Sequence, residues 1–523
     1  MRQFIARHAA VVTSVLSGFD RLVFRGYLRA LRHRGIRTFL DRAGVRLLEF
    51  GDFASATTER VKQASLAEAE RAQRPVVYVE SSRTSKEDLA RELLAKHPLT
   101  QPGLICALTT VEPCMRFEYH RAANPKDRGL KLRPSKCLHI YKYYQHPRFG
   151  FMHTRLQTYF PFDVQVCLNG REWLAHQLDA AGLEFERADN CFPWLADPPR
   201  TQHLLDEQLR TAWPTTLDAL ATTLNPVHAE IFRAWPLTYY WVAYQTEWAT
   251  DVAFTNPTAL AERYPALVRH AVDHFKSPDV LRFLGRTVRQ QWKADVVTSF
   301  KERPEGVRVK HWVNGNSVKM YDKAGSILRI ETTIGNPKDF AVLRPRREDE
   351  GGERHSPKRG AQLVWRNMRK SVADLHRRTA LSQRSNERYL DALAVVEDTT
   401  PCWRIFDAVS RPVIDDGRRF RALRLSDPAD LALLQAISRG EFVIAGFRNR
   451  DLRRLLYPEA GTADAQRLSG RVSRLLRLLR AHGIIKKIPK THRYQITNRG
   501  RLLTAALRAT RDATIKELLR DAA

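Results

Sequence analysis

The sequence predicts an α+β multidomain protein: an N-terminal mixed α/β sheet domain with an antiparallel meander, a helical insert, and a C-terminal unit of helices closed by a short hairpin. Three observations carry this. Strand-like and helix-like runs alternate over residues 1–200, glycine turns cut Val307–Thr333 into three short strands, and three amphipathic helical stretches precede two β-branched runs after Asp427. A chain of 523 residues suggests two to four domains, and 43% hydrophobic with 28% charged residues is the balance of a folded chain. The expected boundaries are 1–200 for the α/β domain, 201–300 for a helical region, and 301–400 for the meander plus a long helix that packs with 1–200. A mobile insert over 344–360, a connection over 401–426, a unit over 427–505 and a terminal helix over 506–523 complete the layout.

The charge is far from balanced. Lys and Arg number 87 against 57 Asp and Glu, a formal +30, which points to a polyanionic partner. No run of 18 apolar residues and no apolar leader with a cleavage site is present, so no membrane partner is expected and the location reads as cytoplasmic and nucleoid-associated. Six cysteines stand singly, without the short pairs of tetrahedral zinc sites, and read as reduced thiols.

In chain order, FDRLVFRG (Phe19 to Gly26) reads as a strand, YLRALRHRGIRTFLDRAG as a basic helix and RPVVYVE as a short buried strand. Thr84-Ser85-Lys86-Glu87 has the form of a capping box before the helix DLARELLAKH. LHIYKYY and FMHTRLQTYF read as paired strands, DVQVCLNG as another, and REWLAHQLDAAG as a helix with Gly182 just past its end. Tyr141 and Tyr143, among lysines and histidines, are candidate platforms for base stacking; the alternative is that they pack under a helix. Asp20, Glu80, Glu112, Glu118 and Asp163 lie in or beside these strands, and a metal-dependent nuclease needs two or three carboxylates to converge. The aromatic run LTYYWVAYQTEWATDVAF reads as helix, with Glu247 and Asp251 four apart on one face.

In the meander, Asn314-Gly315 suits a two-residue type I′ turn, setting Lys310 opposite Lys319 and Val309 opposite Met320. A loop at Lys323-Ala324-Gly325 sets Lys319 opposite Arg329. One face then collects Val309, His311, Val318, Met320, Leu328 and Ile330. The other aligns Lys310, Lys319 and Arg329, with Arg308 beside Tyr321 and Glu331 one step beyond. Like charges in one row repel, so an anion such as a phosphodiester backbone is expected across them; the alternative is a solvated strand face. The run NSVKMYDKAGSILRIE resembles the K-x-Y-D-K…R-x-E hairpin of rolling-circle replication initiation factors, at Lys319, Tyr321, Asp322, Lys323, Arg329 and Glu331. The resemblance covers about fifteen residues. It implies DNA nicking by a tyrosine with a bound divalent metal, which makes Tyr321 and Glu331 candidate catalytic residues and Mg²⁺ or Mn²⁺ the cofactor if the chain is a nuclease. The His-x-His pair that many such nickases use is absent, so the metal ligands stay unassigned.

DLALLQAISRG, NRDLRRLLY and DAQRLSGRVSRLLRLLRAHG read as three helices, the second capped by Asn449, and IIKKIPKTHRYQIT as two strands around a basic turn. With Leu476, Leu479, Gly483, Ile484, Ile485, Lys487, Tyr494, Ile496, Thr497 and Gly500 in place, this run resembles the winged helix-turn-helix of MarR-like regulators over roughly the last fifth of the chain. The resemblance implies that the third helix enters a DNA major groove and that the wing meets phosphates. Candidate contacts are Arg467, Arg471, Arg474 and Arg477 on the helix, and Lys487, Lys490, His492 and Arg493 on the wing. Residues 431–523 hold 20 Lys and Arg against 7 Asp and Glu, a net +13, so the excess charge is concentrated here. The leading expectation is a DNA-binding protein of a mobile or replicating element, with a winged-helix reader and a second cationic surface. A tyrosine nickase, a non-enzymatic transcription regulator and an RNA-binding protein are the alternatives, and a homodimeric state stays open.

Overall fold

The computed structural model describes the chain except residues 33–34, 123, 125–127, 276, 286–295, 304–305, 346–362, 395–401, 439–441, 443–445, 460–463, 489–490 and 513–523. The chain divides into two compact units, one of His8–Pro265 with Val297–Glu387, the other of Met1–Arg7, Ala266–Val296 and Arg388–Ala523. No described helix is long and apolar enough to cross a membrane.

The first unit is mixed α/β. Its strands are β1 (Val12–Tyr27), β2 (Val76–Tyr78), β3 (Gly103–His120), β4 (Gly129–His146), β5 (Gly150–Gln157), β6 (Val164–Asn169), β7 (Phe185–Ala188), β8 (Cys191–Leu195), β9 (Tyr240–Phe254), β10 (Val297–Arg303), β11 (Gly306–Val313), β12 (Asn316–Lys323) and β13 (Ile327–Ile334). All but the β7–β8 hairpin join one sheet in the order β10-β11-β12-β13-β9-β1-β6-β5-β4-β3-β2. The β2–β3 pair is parallel and the others are antiparallel. A core of Phe19, Leu22, Phe24, Phe39, Phe50, Trp173, Trp213 and Trp248 fills the space between sheet and helices. On the face of β9 and β13 that carries Trp248, Thr250 and Thr332, the Leu375–Leu393 helix docks through Asn386. Its amide donates to the Trp248 carbonyl (3.0 Å) and its oxygen accepts from Thr332 Oγ1 (2.7 Å).

Several expectations hold in place and type. A helix follows Thr84-Ser85 as expected, although the cap is Ser85, accepting from the Asp88 amide, rather than Thr84 of the expected box; Gly182 follows the Gly170–Ala180 helix at φ +62°. Asn314 and Gly315 both take positive φ, and the pairs Val309–Met320 and Lys310–Lys319 form.

Others need correction. The aromatic run at 240–254 is the strand β9, at the middle of the sheet, rather than helix: its Tyr, Trp, Val and Thr residues suit a pleated surface buried on both sides. Glu247 and Asp251 still share a face, because an even spacing does so on a strand as well. The second meander loop is Ala324-Gly325-Ser326, one residue later than the sequence suggests; Lys323 stays in the strand opposite Ile327, its ammonium on Asp189 (2.8 Å). That shift pairs Lys319 with Glu331 and Tyr321 with Arg329, so the expected Lys310-Lys319-Arg329 row does not exist. The long helix runs over Leu375–Leu393, and the residues before it, Leu363–Asn367, pair as a strand with Ala341–Pro345. Residues 346–362, most of the expected mobile insert, lie outside the described residues.

In the second unit the helices Pro428–Ser438, Asn449–Leu456 and Ala465–Ala481 precede an antiparallel pair, Ile485–Lys487 with Tyr494–Ile496, and the helix Asn498–Asp512. The terminal helix therefore begins before residue 506. Asn449 is the first helical residue rather than the cap: the Arg448 amide donates to Asp451, while the Asn449 amide reaches the Ser469 carbonyl and Ser473 Oγ and ties the second helix to the third. Residues 401–426 are no simple connection, since Val409 and Leu423 are buried in one core with Leu433, Leu452, Val472, Leu476, Leu479, Ile485 and Ile496.

Candidate functional site

The centre of the sheet holds a buried charged cluster. Strand parity places Lys319 and Tyr321 on one face of β12, Arg329 and Glu331 on the same face of β13, and Glu247 with Asp251 on that of β9. Asp20 arrives through a bulge: Phe19 pairs with Trp248 and Arg21 with Glu247, leaving Asp20 as the extra residue of β1. A bulge re-aims a side chain, and this one brings Asp20 into the cluster. Among the described residues, carboxylate oxygens of Asp20, Glu247 and Glu331 lie within 4.8 Å of one another.

Three cations answer the four carboxylates. Arg329, fully buried, donates to Asp251 through Nε (2.5 Å) and Nη2 (2.8 Å), to Asp20 through Nη1 (3.0 Å), and to the Asn190 carbonyl (2.7 Å). Arg171, at the start of the Gly170–Ala180 helix, reaches Asp251 at 2.9 Å. Lys319 donates to Glu331 and stands 3.6 Å from Glu247. Tyr321 donates its phenolic hydrogen to the other oxygen of Glu331, and the Asn190 amide donates to Asp20 (2.9 Å).

Burial and charge pull these groups apart. Burial raises Asp20, with Arg329 opposing and Glu331 reinforcing; burial and the Glu331 charge likewise raise Glu247. Burial alone would raise Glu331 too, but the Lys319 ammonium and the hydrogen bonds from Lys319 and Tyr321 hold it down to about 2. Asp251 stays low despite burial because Arg329 and Arg171 flank it. The cluster thus combines two carboxylates held ionised, Glu331 and Asp251, with two, Asp20 and Glu247, that hold protons more tightly than usual.

The candidate catalytic pair, Tyr321 and Glu331, does meet here. Burial and the Glu331 charge push Tyr321 well above the usual tyrosine value, outweighing the opposing Arg329 charge. What the geometry supplies at the phenolic oxygen is a hydrogen-bond acceptor, Glu331. Arg329 is neutralised within the sheet, so it cannot serve as the phosphate contact expected of it, and Lys319 is largely committed to Glu331. Arg308 and Lys310 remain half-buried on this face, beside Lys301 and the 43% exposed Trp312. Burial and the neighbouring charges of Lys319 and Arg308 lower the Lys310 ammonium.

Tyr141 and Tyr143 pack with Ala90, Ile105 and Leu108 at 8% and 2% exposure, and the Tyr141 hydroxyl donates to Glu112 (2.8 Å). Neither ring is open to a base: the helix that carries Ala90 covers them. Of the carboxylates singled out in the N-terminal strands, Asp20 joins the cluster; Glu112 is taken by Lys86 and Arg155, Glu118 by Arg116 and Asp163 by Arg32.

In the second unit Arg467, Arg471, Arg474 and Arg477 are exposed, opposite buried Leu468, Val472, Leu476 and Leu479. Arg467 pairs with Asp464 and Arg471 lies over the Tyr457 ring (5.6 Å). Lys487 and His492 are exposed, Arg493 donates to the Gly446 carbonyl, and Lys490 lies outside the described residues. Sequence reading missed Arg171 and Asn190, which reach the cluster from a helix start and a hairpin with no local signal. Comparison of the chain with protein-family models, curated proteins and solved structures finds no match.

Proposed function

We propose that the chain is a DNA-binding protein in which residues 427–505 act as a winged helix-turn-helix reader and the outer meander face makes a second nucleic-acid contact. One observation carries the reading: the Ala465–Ala481 helix buries a leucine and valine stripe and turns four arginines outward. Such a face supplies bidentate donors to phosphates and guanine edges. On the sheet the contact falls to Arg308, Lys310 and Lys301, with Trp312 beside them, rather than to Arg329. Full-length protein titrated with labelled duplex, single-stranded DNA and RNA over a salt series tests this. Duplex binding should weaken steeply with salt, and Arg471→Ala with Arg474→Ala should reduce the log–log slope by about 2. Indifference to DNA at low salt would end the reading.

A second reading, DNA strand cleavage, is favoured by the convergence of Asp20, Glu247, Glu331 and Tyr321. The three carboxylates form an all-oxygen donor set of the kind Mg²⁺ or Mn²⁺ takes, though Lys319 already occupies part of it. An ion there would polarise a phosphodiester; the chain's own part would be Tyr321, whose phenolic oxygen bonds to phosphorus as the P–O bond to one sugar oxygen breaks, the phenolic proton passing to Glu331 and the departing oxygen taking a proton from water. Transfer of a labelled DNA end onto the protein with Mg²⁺ or Mn²⁺, lost in Tyr321→Phe, is the expected result. An adduct that persists in Tyr321→Phe, or no adduct with either ion, removes this reading and leaves the first intact.

A further inference from the structure

A cavity of about 660 Å³ opens at the end of the sheet where β1 stops and β9 starts. Tyr27 and Tyr240, cross-strand partners, form one wall; Asn367–Lys370, held to β9 by the Ala243 amide on the Lys370 carbonyl (2.9 Å), forms another. Among the described residues its lining holds five cations (Arg29, Arg32, Lys338, Arg369 and Lys370) and no carboxylate. The acids that pair with Arg32 and Arg369, Asp163 and Asp374, are not among the lining residues. Lys338 and Lys370 are exposed, and no described carboxylate pairs with either.

Asp163 and Asp374 answer Arg32 and Arg369 from outside the lining, and the two exposed lysines carry the case for an anion: like charges gathered in a concave surface are unfavourable unless an anion answers them, and a recess strengthens the field they present. The rest of the lining suits a planar apolar group. Val242 and Met368 are buried at its base, the Arg32 guanidinium lies 4.5 Å from the Tyr27 ring centre, and Arg29 lies 5.1 Å from that of Tyr240. Cations beside aromatic rings, in a volume typical of small-molecule sites, fit a ligand with a phosphate at one end and a flat ring at the other.

We propose that this cavity binds a nucleotide, with Lys338 and Lys370 on its phosphates and Tyr27 and Tyr240 beside its base. Recognition is of phosphate and ring: Asn367 is the lining residue with a side-chain amide, so discrimination among bases is weak. The same chemistry is offered by a free nucleoside triphosphate and by the 5′-phosphorylated end of a nucleic acid. The site is separate from the carboxylate cluster and stands whether or not the arginine-bearing helix reads DNA.

The test is calorimetric titration of the full-length protein with ATP, inorganic triphosphate, and a trinucleotide with and without a 5′-phosphate. Tighter binding of ATP marks a free-nucleotide site; tighter binding of the phosphorylated trinucleotide marks an end-binding site. In either case Lys338→Ala with Lys370→Ala should weaken the ligand at least about tenfold, since two charge-assisted contacts are lost. Its melting temperature should not move, because both lysines are exposed. Tyr27→Leu should narrow the preference for ATP over inorganic triphosphate. Equal binding of the two trinucleotides without binding of ATP, or a lysine variant that binds as the parent does, overturns the assignment.

Discussion

At the scale of single residues, the carboxylates of the cluster differ in what ionisation does to stability. Glu331 is depressed from the usual 4.5 to about 2, so its contribution is complete above the usual value and is lost as pH falls through about 2. Asp20 and Glu247 shift the other way: they favour the folded state below the usual carboxylate range, and that contribution is lost as pH rises through their elevated values. Glu331→Gln should therefore cost about 3–5 kcal/mol at neutral pH, because Lys319 and Tyr321 lose their buried partner. Glu247→Gln should change stability by less than about 1 kcal/mol, since it removes a charge that burial already disfavours. Denaturant melts of both variants at neutral and mildly acid pH check the order, and a costlier Glu247→Gln would contradict it.

At the scale of elements, Gly470 marks the outward face of the Ala465–Ala481 helix. It is exposed, lies within a turn of Arg467, Arg471 and Arg474, and would meet nothing within 4 Å if it carried a Cβ. A glycine inside an exposed helix costs about 1 kcal/mol relative to alanine. Gly470→Ala should therefore stabilise the second unit by about that amount in thermal melts. If the helix backbone approaches DNA at this point, the added methyl should also weaken duplex binding; stabilisation with undiminished affinity would place the DNA elsewhere on the helix.

At the scale of the molecule, the second unit's core sets where it can be cut. Val409 and Leu423 belong to it, Arg421 holds Asp430 through two contacts of 2.6 Å, and the His482 ring meets the Arg421 carbonyl (2.8 Å). A fragment of residues 402–512 should fold cooperatively. One of 427–505 should be less stable by several kcal/mol, since it loses two buried aliphatic side chains and leaves Asp430 without its arginine. Circular dichroism melts of the two fragments decide this, and equal stability would show the preceding segment to be dispensable.

Composition and local pattern determined a good deal by themselves. The basic excess, the Asn314-Gly315 turn with its register, the helix that follows Thr84-Ser85, and the three helices and hairpin of the second unit all rest on interactions within a few residues, which a sequence displays. The cluster was only half legible: Arg329-x-Glu331 and Glu247-x-x-x-Asp251 each show a shared face, but not that the two faces are one. Tertiary structure decided that β9 is a strand between β13 and β1 and that a bulge sends Asp20 beside Glu247. It also decided that Arg329 is spent on aspartates rather than free for phosphate. Those outcomes depend on pairing between residues hundreds of positions apart, where a slip of one residue in a loop exchanges one charged neighbour for another, and no local spacing encodes that choice.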